Sequence, residues 1–285
     1  MTYQKIIKNG QKLARQNGLE EEAIKLLVLE LSGLSGAEFF MNLNSEVDQV
    51  LEDKINKAIN EYLKGIPAQH IIGYSYFYGY KMIVNSSVLI PRPETEELVG
   101  IVLSYYDDYF NGKKVSVVDV GTGSGNIAIA LAKEETNMTL TATDISEDAL
   151  LTAKQNALNN QAEVTFLQGN MLDPLIDKNM KFDILVSNPP YIPDDEYVEP
   201  LVKDNEPNIA LFGGDKGMKF YKEILENASK VLNKNALLLF EHSHKTKNEM
   251  LDLAKKCFPN SFAEVLKDLN GKDRFLVVVV GEFND

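Results

Sequence analysis

The most constraining feature of this 285-residue chain is a strand that runs straight into a glycine loop and then a helix. Val115-Ser116-Val117-Val118-Asp119-Val120 is apolar and β-branched, the signature of a parallel strand buried on both faces. Gly121-Thr122-Gly123-Ser124-Gly125-Asn126 follows, and then the helical run Ile127-Ala128-Ile129-Ala130-Leu131-Ala132. Glycines here let the backbone approach a ligand closely. The spacing is G-x-G-x-G, short of the full G-x-G-x-x-G dinucleotide fingerprint. The next strand, 138–143, ends at Asp144, where a carboxylate can accept bonds from a ribose diol. A nucleoside without a pyrophosphate-specific loop favours S-adenosylmethionine over a nicotinamide dinucleotide. Asp119 is expected to orient the glycine loop.

A second motif stands behind another strand-like run, Phe182 to Ser187. Asn188-Pro189-Pro190-Tyr191 puts a polar amide, two rigid prolines and an aromatic ring at the carboxyl end of a buried strand. That edge of an open α/β sheet is where ligands bind. The Asn188 side-chain oxygen and the Pro189 carbonyl can accept the two N–H bonds of a planar –NH2 group. Proline fixes its own φ and restricts its predecessor, which stiffens the pair. The Tyr191 ring can stack on the planar face.

The remainder of the second half alternates strand and helix, as a parallel sheet covered on both faces requires. Strands are expected near 115–120, 138–143, 163–168, 182–187, 235–241, 261–267 and 274–280. Asn270-Gly271 signals a hairpin between the last two, so one edge is antiparallel. The first ~65 residues read as amphipathic helices, near 3–16, 20–33 and 45–63. Asn44 and Ser45 are candidate N-caps for the third, with Gly65 closing it. The Tyr-rich segment before Leu89 predicts a β-hairpin. Pro91-Arg92-Pro93-Glu94 stiffens an entry loop, and Thr95 is a candidate cap for a helix through about Tyr106. Arg92 and Glu94 either shape the pocket or pair with each other. The organisation expected is a helical domain over 1–66, a hairpin linker over 67–90 and a catalytic domain over 91–285.

Net charge is −13, and it is uneven. Residues 1–85 carry 9 Lys+Arg against 10 Asp+Glu; residues 86–285 carry 20 against 32. Asp194, Asp195, Glu196, Glu199, Asp204 and Glu206 cluster after the Asn-Pro-Pro-Tyr motif with only Lys203 among them. Such a segment repels a phosphate backbone and argues against a nucleic-acid substrate. The single Cys257 excludes an intrachain disulfide. No apolar run is long enough to span a bilayer, and the N-terminus lacks the layout of a secretion signal. A cytoplasmic location is expected. His242-Ser243-His244 lacks the Cys or carboxylate partners of a metal site, so none is expected.

Together these features resemble the peptide chain release factor glutamine methyltransferases (the PrmC/HemK family). The resemblance rests on Pro91-Arg92-Pro93-Glu94-Thr95-Glu96, Asp119 through Gly125, and Asn188 through Tyr191. Gly65, Pro67, Gln69 and Gly73, and later Glu206-Pro207, Ala210-Leu211 and Gly213-Gly214, extend it over nearly the whole chain. It implies an α/β fold: a class I methyltransferase (Rossmann-like) domain with a seven-stranded, mostly parallel sheet behind a small N-terminal helical bundle. The implied reaction is methylation of the glutamine amide nitrogen in the Gly-Gly-Gln loop of class I release factors. By resemblance, Gly121, Thr122, Gly123, Ser124 and Gly125 line the S-adenosylmethionine site, Asp144 binds the ribose, and Met171 lies by the adenine, where some relatives carry an aromatic. Asn188, Pro189, Pro190 and Tyr191 take the glutamine, with Asn188 also beside the cofactor. Asn188, Pro189 and Tyr191 are the catalytic candidates. The front domain is expected to bind the substrate protein, and the enzyme to act as a monomer. A glutamine methyltransferase acting on a ribosomal protein and an adenine-N6 nucleic-acid methyltransferase are the alternatives.

Overall fold

The computed structural model describes residues 1–283 and divides into two compact units, Met1–Tyr74 with Val198–Asn205, and the remainder. In the first unit α1 (Tyr3–Gln16), α2 (Glu22–Ser32), α3 (Gly36–Met41), α4 (Gln49–Leu63) and α5 (Ala68–Ile72) enclose a core of Ile6, Ile24, Leu27, Phe39, Ile55 and Tyr62. The Thr2 side chain caps α1, and Ser35 with Glu38 forms a capping box on α3. The cap of α4 is Asp48, whose carboxylate accepts from Leu51 N at 3.0 Å; it is neither Asn44 nor Ser45. Those two lie in the turn that ends α3. Beyond them Glu46 bridges to Thr2, and Val47 N donates to Met1 O, so the helix starts later.

In the second unit β1 (Tyr74–Phe77) and β2 (Tyr80–Ile83) form the expected hairpin, turning at Tyr78 and Gly79 with both φ positive. Residues 68–72, at the start of the expected linker and ahead of the hairpin, form α5. Helix α6 spans Pro93–Phe110. Its cap position is Arg92, and Thr95 lies inside the first turn. Proline at N1 carries the φ a helix needs and moves the start two residues ahead of the expected cap.

After α6 come β3 (Val115–Val120), α7 (Asn126–Glu134), β4 (Met138–Asp144), α8 (Glu147–Asn159), β5 (Val164–Gln168), α9 (Asp173–Asp177) and β6 (Phe182–Ser187). The short α10 (Pro200–Lys203) precedes α11 (Lys219–Asn227), β7 (Leu232–Glu241), α12 (Lys247–Cys257), β8 (Phe262–Lys267) and β9 (Asp273–Val280). Seven strands form one sheet in the order β5-β4-β3-β6-β7-β9-β8, parallel except for β9. One apolar layer packs Val117, Ile184, Leu237 and Val277 against α6 and α7; the other packs Val118, Leu185, Leu238 and Val278 against α11 and α12. Strand order reverses at β3, between β4 and β6, and a crevice opens there at the carboxyl ends of the strands.

Candidate active site

A cavity of about 240 Å³ occupies that crevice. Its walls include Gly121, Thr122, Gly123, Ser124, Asp144, Met171, Asn188 and Pro190. Of the other expected residues, Gly125, Pro189 and Tyr191 are not part of its lining but adjoin residues that are.

The glycine loop is held by the neighbouring strand. Gly121 N and Thr122 N both donate to Thr143 O at 2.9 Å, and Gly123 N donates to Asp144 Oδ2 at 2.8 Å. Gly125 caps α7 at φ +81, and a β-carbon there would press on Ala153 and Ile129 at 3.1 Å. Its role is thus the close approach of α7 to α8. Fully buried Asn156 of α8 donates to Ser124 O at 2.9 Å and exchanges bonds with both backbone groups of Ile83. This one amide joins the loop to the hairpin.

Two carboxylates stand beneath the loop. Asp119 is fully buried, and Thr122 Oγ1 donates to its Oδ2 at 2.5 Å. Burial pushes the Asp119 carboxyl up to about 7, against the opposing pull of the Thr122 hydroxyl and the Ala128 N–H. Asp144 accepts from Gly123 N through one oxygen and from Ser146 N through the other. Burial raises its pKa, and these N–H groups oppose the rise. Each oxygen keeps a second lone pair for a ligand hydroxyl. Met171, at φ +41, is fixed when Thr143 Oγ1 donates to its carbonyl at 3.0 Å. Glycine-lined backbone, an acidic strand end and the apolar sides of Ile145, Met171 and Phe220 suit a nucleoside.

At the end of β6, Ser187 Oγ donates to Val120 O at 2.6 Å, which locks the strand exit. Asn188 Nδ2 donates to Thr95 Oγ1 at 3.0 Å, and Thr95 Oγ1 donates to Glu241 Oε2 at 2.7 Å. Tyr191 OH donates to the other oxygen of Glu241 at 3.3 Å. Burial and the nearby Glu241 charge raise the Tyr191 phenol, so it stays protonated. Below Tyr191, the turn Gly213–Gly217 crosses so closely that a β-carbon at Gly213 would overlap the Pro190 carbonyl, and one at Gly217 that of Tyr191. Gly213 N donates to Ile192 O at 2.8 Å and completes this brace.

Arg92 and Glu94 do not pair with each other. Arg92 Nη2 meets Glu206 Oε1 at 2.6 Å, and Ile90 N donates to Glu206 Oε2 at 2.9 Å. Glu206 is buried and ion-paired, and does not belong with the solvated acidic residues before it. Sequence reasoning missed Glu206, Asn156, Thr95 and Glu241 as site supports; each needs a partner more than 30 residues away.

The fold is that of a class I methyltransferase, and the cavity lies at its strand-order reversal. The methyltransferase small domain matches residues 104–204, and the PrmC N-terminal domain matches residues 5–73. Over 278 residues the chain is 38% identical to the release factor glutamine methyltransferase of Bacillus cereus, covering 97% of this chain and 98% of that one. It is 40% identical over 266 residues to the enzyme of that name from Bacillus subtilis, covering 92% of each. The chain belongs to the release factor glutamine methyltransferase family. In fold it also resembles a methyltransferase from Pyrococcus furiosus, with a TM-score of 0.51 at 19% identity over 72% of this chain and 90% of that one. Among the described residues, no helix is long and apolar enough to cross a membrane.

Proposed function

We propose that this enzyme methylates the side-chain amide nitrogen of the glutamine in the Gly-Gly-Gln motif of class I peptide chain release factors, using S-adenosylmethionine. The observation that carries the reading is the Asn188 carboxamide, whose Nδ2 end is tethered to Thr95. Its oxygen is left to accept from a ligand in the cavity that Asn188 lines.

Bound S-adenosylmethionine would supply an electrophilic methyl group and leave as S-adenosylhomocysteine, while the methylated amide nitrogen gives up one proton to solvent. Gly121, Thr122, Gly123 and Ser124 would hold its amino-acid and sugar portions, Asp144 its ribose hydroxyls, and Met171 its adenine; Gly125 supports them from behind. A substrate amide nitrogen is a poor nucleophile because its lone pair is delocalised into the carbonyl. Asn188 Oδ1 and the Pro189 carbonyl accept its two N–H bonds and favour a pyramidal nitrogen. Pro190 stiffens the same turn. Tyr191, tethered to Glu241, keeps the amide plane in place. Alignment of this kind can contribute ~7–11 kcal/mol to lowering a barrier. Residues 1–66 would engage the substrate protein, with 67–90 as linker and 91–285 as the catalytic part. The enzyme would act as a cytoplasmic monomer, where release factors work, without binding nucleic acid directly.

The ribosomal-protein and adenine-N6 alternatives are not favoured, because relatives matching over nearly the full length carry the release-factor name. The test is mass spectrometry of a release factor incubated with enzyme and S-adenosylmethionine. One added methyl on the Gly-Gly-Gln glutamine is expected, with turnover at least ~100-fold lower in Asn188→Ala and cofactor affinity retained. An unmodified glutamine, or near-normal turnover in Asn188→Ala, refutes the reading.

A further inference from the structure

We propose that Glu241 and Thr95 are positioning residues that fix which end of the Asn188 carboxamide faces the substrate. The inference rests on the glutamine-methylating reading of the site.

An ionised carboxylate only accepts hydrogen bonds, whereas a threonine hydroxyl donates one and accepts others. Glu241, 1% exposed at the end of β7, receives the Thr95 proton at 2.7 Å and the Tyr191 proton at 3.3 Å. The Tyr221 hydroxyl donates to the backbone carbonyl of the same residue at 2.7 Å. With its proton committed to Glu241, Thr95 can only accept from Asn188. The Asn188 amide must therefore present Nδ2 to Thr95, at 3.0 Å. A flipped amide would set two lone-pair oxygens against each other in a dry pocket, because Thr95 is only 3% exposed. Donation thus runs from Asn188 after β6, through Thr95 of α6, to Glu241 at the end of β7, and leaves Asn188 Oδ1 as the end free to accept from a ligand. Burial raises the Glu241 pKa, while the Thr95 hydroxyl, the Arg274 charge and the Tyr191 hydroxyl favour its charged form.

Charge-assisted hydrogen bonds in such a chain predict a loss of about 10- to 100-fold in kcat for Thr95→Val, which keeps the shape and removes the hydroxyl. The affinity for S-adenosylmethionine, read by calorimetry, should stay within ~3-fold. Thr95→Ser restores the hydroxyl and should recover most of kcat. The decisive comparison uses an Asn188→Asp background. Aspartate has acceptors at both ends, so no orientation remains to be chosen, and Thr95→Val should there cost less than ~2-fold. A role in packing alone would impose the same loss in both backgrounds, and that result overturns the proposal. So does an unchanged kcat in Thr95→Val. If that variant does not fold, Thr95→Ala is read the same way. A wild-type enzyme that methylates no release factor would sink the functional reading instead, before any variant is compared.

Discussion

Replacing Gly217 by alanine tests whether the Gly213–Gly217 turn holds the amide-binding loop in place. Gly217 sits at φ +68, and an added β-carbon would overlap the carbonyl oxygen of Tyr191. Two costs are separable. The left-handed backbone costs an L-residue ~1–2 kcal/mol. Overlap with a backbone atom, which cannot rotate away, adds ~1–3 kcal/mol of repacking strain. Gly112 supplies the control: it has φ +74, but a β-carbon there would meet nothing within 4 Å. Gly112→Ala should therefore show the backbone cost alone, and Gly217→Ala a further ~1–3 kcal/mol. Urea unfolding of both variants measures the difference. Because the overlap displaces Tyr191, and with it Asn188, only Gly217→Ala should also lose turnover, by roughly 10-fold for a displacement of a few tenths of an ångström. Equal stabilities for the two variants, with Gly217→Ala retaining wild-type turnover, would refute the idea that this turn braces the site.

The Asp119 carboxyl, pushed up to about 7 from an ordinary 3.8, gives the fold a pH signature. Between those values the unfolded chain has released a proton that the folded one keeps, so Asp119 makes stability fall as pH rises. Relative to Asp119→Asn, wild type should lose up to ~1.4 kcal/mol per pH unit across this window, levelling off above it; a flat difference in denaturant titrations would contradict the burial argument. Asp144→Asn should weaken S-adenosylmethionine binding about 10- to 100-fold through lost bonds to the ribose, with saturated turnover little changed. Calorimetry showing unaltered affinity would remove Asp144 from the cofactor site.

What the sequence disclosed was local. The β-branched runs mark the strands because a strand buried on both faces has little room for polar residues; within β3 the buried exception is Asp119, two residues ahead of the glycine loop. Asn188 through Tyr191 is legible because prolines so rarely follow a central strand. Asn270-Gly271 announces the last hairpin by turn chemistry alone. The supports of the site were hidden for the opposite reason. Thr95 ahead of a helical run looks like a cap, and only its 2.7 Å bond to a residue 146 positions later shows otherwise. Glu206 reads as one more solvated acid until Arg92, 114 positions earlier, is found against it. Gly213 and Gly217 look like ordinary loop glycines, because closeness to Pro190 and Tyr191 leaves no periodic trace.

The order of strands at the far edge of the sheet governs how the molecule is completed during synthesis. β8 is made before β9 yet lies outside it, and in the sheet β8 pairs only with β9. As the polypeptide emerges, β8 has nowhere to dock until Asp273–Val280 has been made and inserted beside β7. A chain cut short at about residue 272 would thus forfeit two strands, and the flank of β7, which ends in Glu241, would be left bare.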